Sequence, residues 1–396
     1  MARRRTAMGL TQLLARYAVR RAHVLIVETP GYWVVRAAAE RQLRSRGWCA
    51  ATSPADADVL AVCGVPGPEL AEAIGRVWDQ LPGPRVRIDV PDLDVVDSVL
   101  DRAAVQLLDI RMHRNDARER AQSPDLSGGP DRAQHGEHQH MNHGAMQHGQ
   151  HGQHGHMVHG SHEHMDHGDM EMTPAGIALA EGGEDRDGLE MDVLHVRLGP
   201  VFRYWPAGLV LRCSLQGDVL TQAEAWVVDN HAGNGNPPSQ GRNDAAARQC
   251  DHVVDLLALA GWLHAAAIAR TARDALLGEP DVARGTSLLD TLHGKLRRSR
   301  VLRWSLRDVA SLTAEDCDLL GLPTALAGDC YDRLLTRVDL ARQMLPETMA
   351  PNDLHEPSTR IVDAVPHLVN GLDLATARLV IASLGIDIAP AGDRHG

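Results

Sequence analysis

Aromatic residues are scarce. They make up 3% of the 396 residues, and Phe202 is the single phenylalanine. The cores must therefore rest on Leu, Val, Ile and Ala. The six cysteines, Cys49, Cys63, Cys213, Cys250, Cys317 and Cys330, form no C-x-x-C pair and no cluster. That argues against a disulfide scaffold, a zinc ribbon or a ferredoxin-type cluster motif. Scattered thiols of this kind suit the cytoplasm. No run of about 18 apolar residues occurs, so no transmembrane helix is expected. The excess of positive charge that marks a nucleic-acid-binding surface is missing as well. The net charge is -12 with His neutral, and no nucleic-acid partner is expected.

What is present is enough for two domains, each with its own core. Hydrophobic residues are 44% and charged residues 23%, ordinary values for a globular chain. Residues 1–22 read as a basic amphipathic segment. Leu10, Leu13, Leu14 and Tyr17 lie to one side, and Arg16, Arg20 and Arg21 towards the other. Such a segment is either a solvated first helix or a contact with a membrane surface.

Residues 23–118 alternate short apolar strands with helical periodicity. Strands are expected at His23–Glu28, Asp58–Cys63 and Arg85–Val90, and helices at Trp33–Arg46, Glu69–Gln80 and Val95–Asp109. Such alternation predicts a parallel sheet with helices on its faces, an α/β domain of flavodoxin-like type. Residues 191–396 predict an α+β domain, a small antiparallel β region followed by a helical bundle. Its strands are expected at Val193–Leu198, Leu209–Leu215 and Val219–Val228, with a tight turn at Gly217. Its helices are expected at Ala245–Leu277 with a break at Gly261, Ser287–Arg298, Ile361–Val369, Gly328–Leu345 and Asp373–Leu384.

Between the two, residues 119–190 read as a disordered linker. From His135 to Met172 the chain is His, Met, Gly, Gln and short polar residues, with nothing that could fill a core. Its candidate metal ligands are His138, His140, His143, His148, His151, His154, His156, His159, His162, His164, His167, Met157 and Met165. Neutral imidazole binds Zn, Ni and Cu(II), and thioether sulfur adds affinity for Cu(I). HxH and HxxH spacings crowd donors together, which predicts several weak, exchanging sites.

Two sets of residues carry a resemblance. Ser53 to Val90, above all Val77-Trp78-Asp79-Gln80-Leu81-Pro82-Gly83-Pro84-Arg85, is similar to the iron–sulfur subunit of respiratory complex I (NADH-quinone oxidoreductase), itself related to the small subunit of [NiFe]-hydrogenases. His195-Val196-Arg197-Leu198-Gly199-Pro200, Leu209 to Asp218, and Gly328-Asp329-Cys330-Tyr331-Asp332-Arg333 through Arg337 to Gln343 resemble the quinone-site subunit, related to the hydrogenase large subunit. The resemblance implies a fusion of two neighbouring subunits, small-subunit-like half first. It also implies complex I-like or antiporter-like membrane partners. The chain would then be cytoplasmic and peripheral to the inner face of the cell membrane, held there through those partners.

The family's ligands do not follow. Its tandem cluster cysteines fall near Thr29-Pro30-Gly31, and the later one around Asp89-Val90-Pro91, so no iron–sulfur cluster is expected. Its quinone-loop histidines fall on Phe202 and Pro206. Phe202, Tyr204 and Trp205 could line a quinone ring or plug a former cavity. Asp329, Asp332, Arg333, Arg337 and Arg342 share one predicted helix, where the resemblance implies an interface. Asp329 and Arg333 are spaced to pair. The expected function is a subunit of an NADH-quinone oxidoreductase-like complex, degenerate in redox chemistry and not catalytic alone. The alternative is a metal-binding or buffering protein that displays the His/Met tract.

Overall fold

The computed structural model describes residues 17–120, 181–184, 190–229, 242–345 and 358–388. The His/Met tract and the first sixteen residues lie outside them, so the thirteen metal candidates and most of the basic segment have no structural counterpart here.

The N-terminal half is an α/β unit. Strands β1 (His23–Glu28), β2 (Cys49–Ala50), β3 (Val59–Cys63) and β4 (Val86–Val90) form an all-parallel sheet in the order β2-β1-β3-β4. This is the flavodoxin-like order. All five residues of β3 are buried, as a central strand covered on both faces requires. Val59, Ala61 and Cys63 face one core with helices α1 (Trp33–Arg46) and α3 (Val96–Gln106). Leu60 and Val62 face another with α2 (Pro68–Gln80). Helix α1 ends where Gly47 takes the left-handed conformation, a backbone state that costs glycine nothing.

Helix α4 (Ile110–Glu119) follows, capped by the Asp109 side chain. The sequence reading ends its helices at Asp109 and misses α4, whose strongly polar composition masks it. Strand β5 (Glu181–Glu184) likewise falls inside the expected linker and pairs with β6 (Glu190–Leu198).

The C-terminal half opens with an antiparallel meander, β5-β6-β7-β8, with β7 at Leu209–Gln216 and β8 at Val219–Val227. Helices α5 (Arg242–Leu259), α6 (Leu263–Leu276), α7 (Val282–Arg298), α8 (Arg300–Leu306), α9 (Ala314–Leu320), α10 (Cys330–Met344), α11 (Ser358–Val369) and α12 (Leu374–Leu384) complete it. The expected break between α5 and α6 falls at Gly261, with φ +78°. Helices α8 and α9 are additional to the sequence reading. Both are short, but α9 carries a legible signal. Thr313 and Asp316 form a capping box, and Gly321 closes the helix in the left-handed region.

The halves share cores. Trp33 and Ala37 of α1 sit in the main core of the C-terminal half, while Val35, Ala39 and Leu43 of the same helix face the sheet. Leu209, Leu211, Cys213 and Leu215 of β7 face the helices, while Val210 packs with Leu25, Leu60, Leu70 and Ile74. The turn directly after β8 adds a polar clasp. Asp229 accepts hydrogen bonds from the Glu69 and Leu70 backbone N–H groups, 3.0 Å each, and so caps α2 from the other half. Cleavage at a protease site inserted into the His/Met tract should therefore leave two fragments that co-elute on a sizing column. Separate elution would show that the shared cores do not hold without the covalent link.

Candidate functional site

The seam between the halves is built from charge. On α1, Trp33, Arg36, Ala37, Glu40 and Arg44 follow helical spacing and face α5 and α6. Arg36 pairs with Glu28 at the end of β1, with Glu40 one turn on (2.8 Å), and across the seam with Asp251 of α5. Arg273 of α6 pairs with Asp251 (2.7 Å), Glu40 (2.9 Å) and Asp274 (2.9 Å). Arg248 of α5 pairs with Asp251 (2.6 Å) and with Asp387, which is half-exposed at the rim. Asp251 and Arg273 have side chains fully shielded from solvent.

Burial by itself would raise Asp251. The positive charges of Arg36, Arg273 and Arg248 overcome it and hold the carboxyl well below its usual range. Glu40 behaves alike: burial opposes ionisation, but Arg36 and Arg273 lower it to about 2. Isolated buried carboxylates would neutralise instead.

A cavity of about 70 Å³ adjoins this cluster. Its walls include Glu28, Arg36 and Glu40 from the N-terminal half, Arg248, His252 and Asp255 from α5, and the loop Phe202–Ala207. Asp255 keeps some accessible surface because it faces the cavity. Burial first, and then the neighbouring Asp251 charge, push it up to about 8, with Arg36 and Arg248 opposing. It is therefore mostly protonated at neutral pH. His252 is pushed down to about 4 by burial and by Arg248, against the pull of Asp387 at 3.3 Å. A neutral imidazole and a neutral carboxyl thus stand one helical turn apart at one cavity, an arrangement able to hold and exchange protons.

The three loop candidates do meet here. Trp205 is buried and donates its indole N–H to the Leu209 carbonyl at 2.7 Å, and Phe202 stands edge-on to it at 6.0 Å. Tyr204 has φ +59°, unusual for a non-glycine residue, and Arg203 stacks on its ring. Arg203 also donates to the Ala50 carbonyl (3.1 Å), and Arg378 of α12 donates to the Arg203 carbonyl (3.3 Å). The loop is tied down on both sides. The space is about half of the ~150 Å³ that accommodates a benzene ring in an engineered cavity, so in this conformation it is too small to take a ring.

The five candidates on α10 and at its N-cap all have partners within the chain. Asp329 does not pair with Arg333. Its carboxylate caps α10 at the Asp332 N–H (2.9 Å) and also accepts from the Asp308 N–H (2.9 Å), and Asp332 completes the capping box. Backbone donors at the helix start win over the i,i+4 cation because they are fixed and otherwise unsatisfied. Arg333 is buried and donates to Ser383 Oγ (2.9 Å) and to the Gly328 (2.7 Å) and Ala310 (3.1 Å) carbonyls. Arg337 reaches Gln249 (3.0 Å) and the Ser383 and Leu384 carbonyls. Its guanidinium lies against Gly385, where any side chain would collide with it. Burial lowers Arg337 to about 10. Arg342 is on the surface with Asp290 (2.7 Å) and Asp339 (3.1 Å).

Sequence reasoning passed over Arg36, Glu40, Asp251 and Asp255. Their signal was present: charges at i,i+4 set inside apolar helical stretches, WVVRAAAE and CDHVVDLL. Cys63, at the end of β3, and Cys250 are buried thiols. Burial raises Cys63 strongly and pushes Cys250 up to about 12, so neither offers a thiolate. Among the described residues, no group of three or more His, Cys, Asp or Glu side chains could hold a metal ion.

Asp255 titrates near 3.8 when unfolded and near 8 when folded. The native state therefore takes up the proton, and the resulting stability is complete below the unfolded value and lost as pH rises through the folded one. Between about pH 6.5 and pH 8.5 the wild type should lose stability at up to about 1.4 kcal/mol per unit from this group. Asp255→Asn, which cannot ionise, should abolish that slope in urea unfolding. Parallel pH dependences for the two proteins would show that Asp255 is already ionised at neutral pH.

No known family's model matches the chain, and no curated protein matches it.

Proposed function

We propose that this chain is a structural, redox-degenerate subunit of an NADH-quinone oxidoreductase-like membrane complex, in which two neighbouring subunits have become one chain. One observation supports this reading above the others. The half that resembles the iron–sulfur subunit and the half that resembles the quinone-site subunit meet through the Arg36–Asp251 ion pair. The loop at the quinone-loop position closes the cavity beside that pair. In this reading Phe202, Tyr204 and Trp205 plug the former quinone path, and the seam holds charge pairs where the family carries redox chemistry. The chain would be cytoplasmic and reach the membrane through antiporter-like subunits. Among the described residues no helix is long and apolar enough to cross a membrane.

The test is purification of the tagged full-length protein from its native cells in mild detergent. Antiporter-like membrane subunits should co-purify in fixed stoichiometry, and the preparation should lack stoichiometric iron and acid-labile sulfide. Recovery of the protein alone would overturn the assignment. A bound cluster would restore an electron-transfer role.

A second reading follows from the density of His and Met between His135 and Met172. Here the old scaffold displays a metal-buffering tract. His must be neutral to donate its lone pair, and its unperturbed pKa is about 6.5. Uptake of Zn or Ni should therefore collapse below about pH 6, while Cu(I) held by thioethers should persist to lower pH. Calorimetry above and below that pH, on full-length protein and on a deletion of residues 135–172, checks this. Equal uptake by both proteins would place the sites elsewhere.

A further inference from the structure

The other unusual surface lies far along the chain from the seam residues of α1 and α5, at the elbow where α7 passes into α8. The run from Lys295 to Arg307 reads KLRRSRVLRWSLR and holds six cations and no acid, in a chain of net charge -12. Ser299 makes the elbow by accepting the Leu302 N–H at 3.2 Å, which starts α8 directly after α7. Leu296, Leu302 and Leu306 are the inward side of the elbow and are buried.

The outward side is the reverse of what a solvated helix presents. Val301 is 76% exposed and Trp304 83% exposed, at i,i+3 spacing. Arg300, Arg303 and Arg307 stand around Trp304 at the preceding turn, the preceding residue and the following turn, all exposed. Arg303 rests on the Tyr331 ring, 5.3 Å from its centroid, and Arg307 pairs with the exposed Asp308 at 3.7 Å. Among the described residues, Lys295, Arg297, Arg298, Arg300 and Arg303 form no ion pair with a carboxylate.

We propose that the α7–α8 elbow docks on an anionic lipid surface, with Trp304 and Val301 entering the headgroup region and the surrounding arginines contacting lipid phosphates. Three features favour lipid over a protein partner. Tryptophan is suited to the membrane–water boundary, where one end of the ring is apolar and the other wet. Long unpaired cations gain additively from an anionic surface and need no fixed geometry to do so. A seven-residue helix is about 10 Å long, too short to supply by itself the ~800 Å² that a specific protein interface takes from each partner. The concentration of positive charge against the overall negative charge would also orient the molecule with this face towards the bilayer. The inference is independent of the function proposed above, since it uses no seam residue and no resemblance.

The experiment is co-sedimentation of the full-length protein with vesicles of phosphatidylcholine alone and of phosphatidylcholine with phosphatidylglycerol. Binding is expected only to the anionic vesicles, and should weaken as salt is raised. The triple variant Arg300→Gln, Arg303→Gln, Arg307→Gln should bind about 100-fold more weakly. Trp304→Ala should also weaken binding but leave the salt dependence unchanged. Both change exposed side chains, and circular dichroism checks that both remain folded. Equal binding of the triple variant and the wild type would assign any membrane affinity to another segment, such as residues 1–22, and overturn the proposal. So would failure to bind anionic vesicles, or retention on nucleic acid or an acidic polypeptide with none on vesicles.

Discussion

The structure turns on Asp251. Its carboxylate lies on α5 in full burial, and three guanidinium groups from three helices converge on it: Arg36 from α1, Arg248 from α5 itself and Arg273 from α6. A buried charge is tolerable only when it is matched, and here the matching groups come from both halves. Glu40 and Glu28 neutralise Arg36 from the other side, and Asp274 and Glu40 do the same for Arg273. Docking of the two halves in any other register would leave several of these groups buried without partners, at a cost of several kcal/mol for each ion. The apolar contacts of Trp33, Ala37 and Val210 supply attraction without direction. The ion pairs supply the direction.

The cavity follows from the same arrangement. It lies beside Arg36 and Glu40, under the Phe202–Ala207 loop. Trp205 and Arg203 hold that loop through backbone carbonyls at Leu209 and Ala50. Asp255 faces the space, and among the described residues no cation lies within ion-pair distance of it. Asp251, four residues earlier on α5, has first claim on the nearby arginines, and this contrast drives the two carboxyls of one helix to opposite protonation states.

Much of the fold was readable without coordinates. The short apolar run VLAVC, bounded by Gly64 and Pro66, reads as a strand covered on both faces, and Gly47, Gly217 and Gly261 mark places where the chain turns. Interior charge was harder to read. Arg36 and Glu40 look like an exposed i,i+4 pair, and Arg333 looks like a surface partner for Asp329, because charged helix residues are usually solvated. In the structure, Arg333 is instead buried and donates to the Ala310 and Gly328 carbonyls. Helix α4 buries no residue fully, and both its Arg85–Asp116 ion pair and its cap at Asp109 are polar features that periodicity does not detect.

The sequence alone determined the division into an α/β half and a β-plus-helix half, the order of most elements and the placement of the donor-rich tract between them. Those properties are local, set by the period of apolar residues and by the conformational freedom of glycine. Which helix faces which was decided only by the tertiary structure. Residues 36 and 40 are distant in the chain from 251, 255 and 273, and no local rule states that they share one interior. Their protonation, their pairing and the cavity beside them exist because two separately folded faces, each carrying buried charge, complete one another.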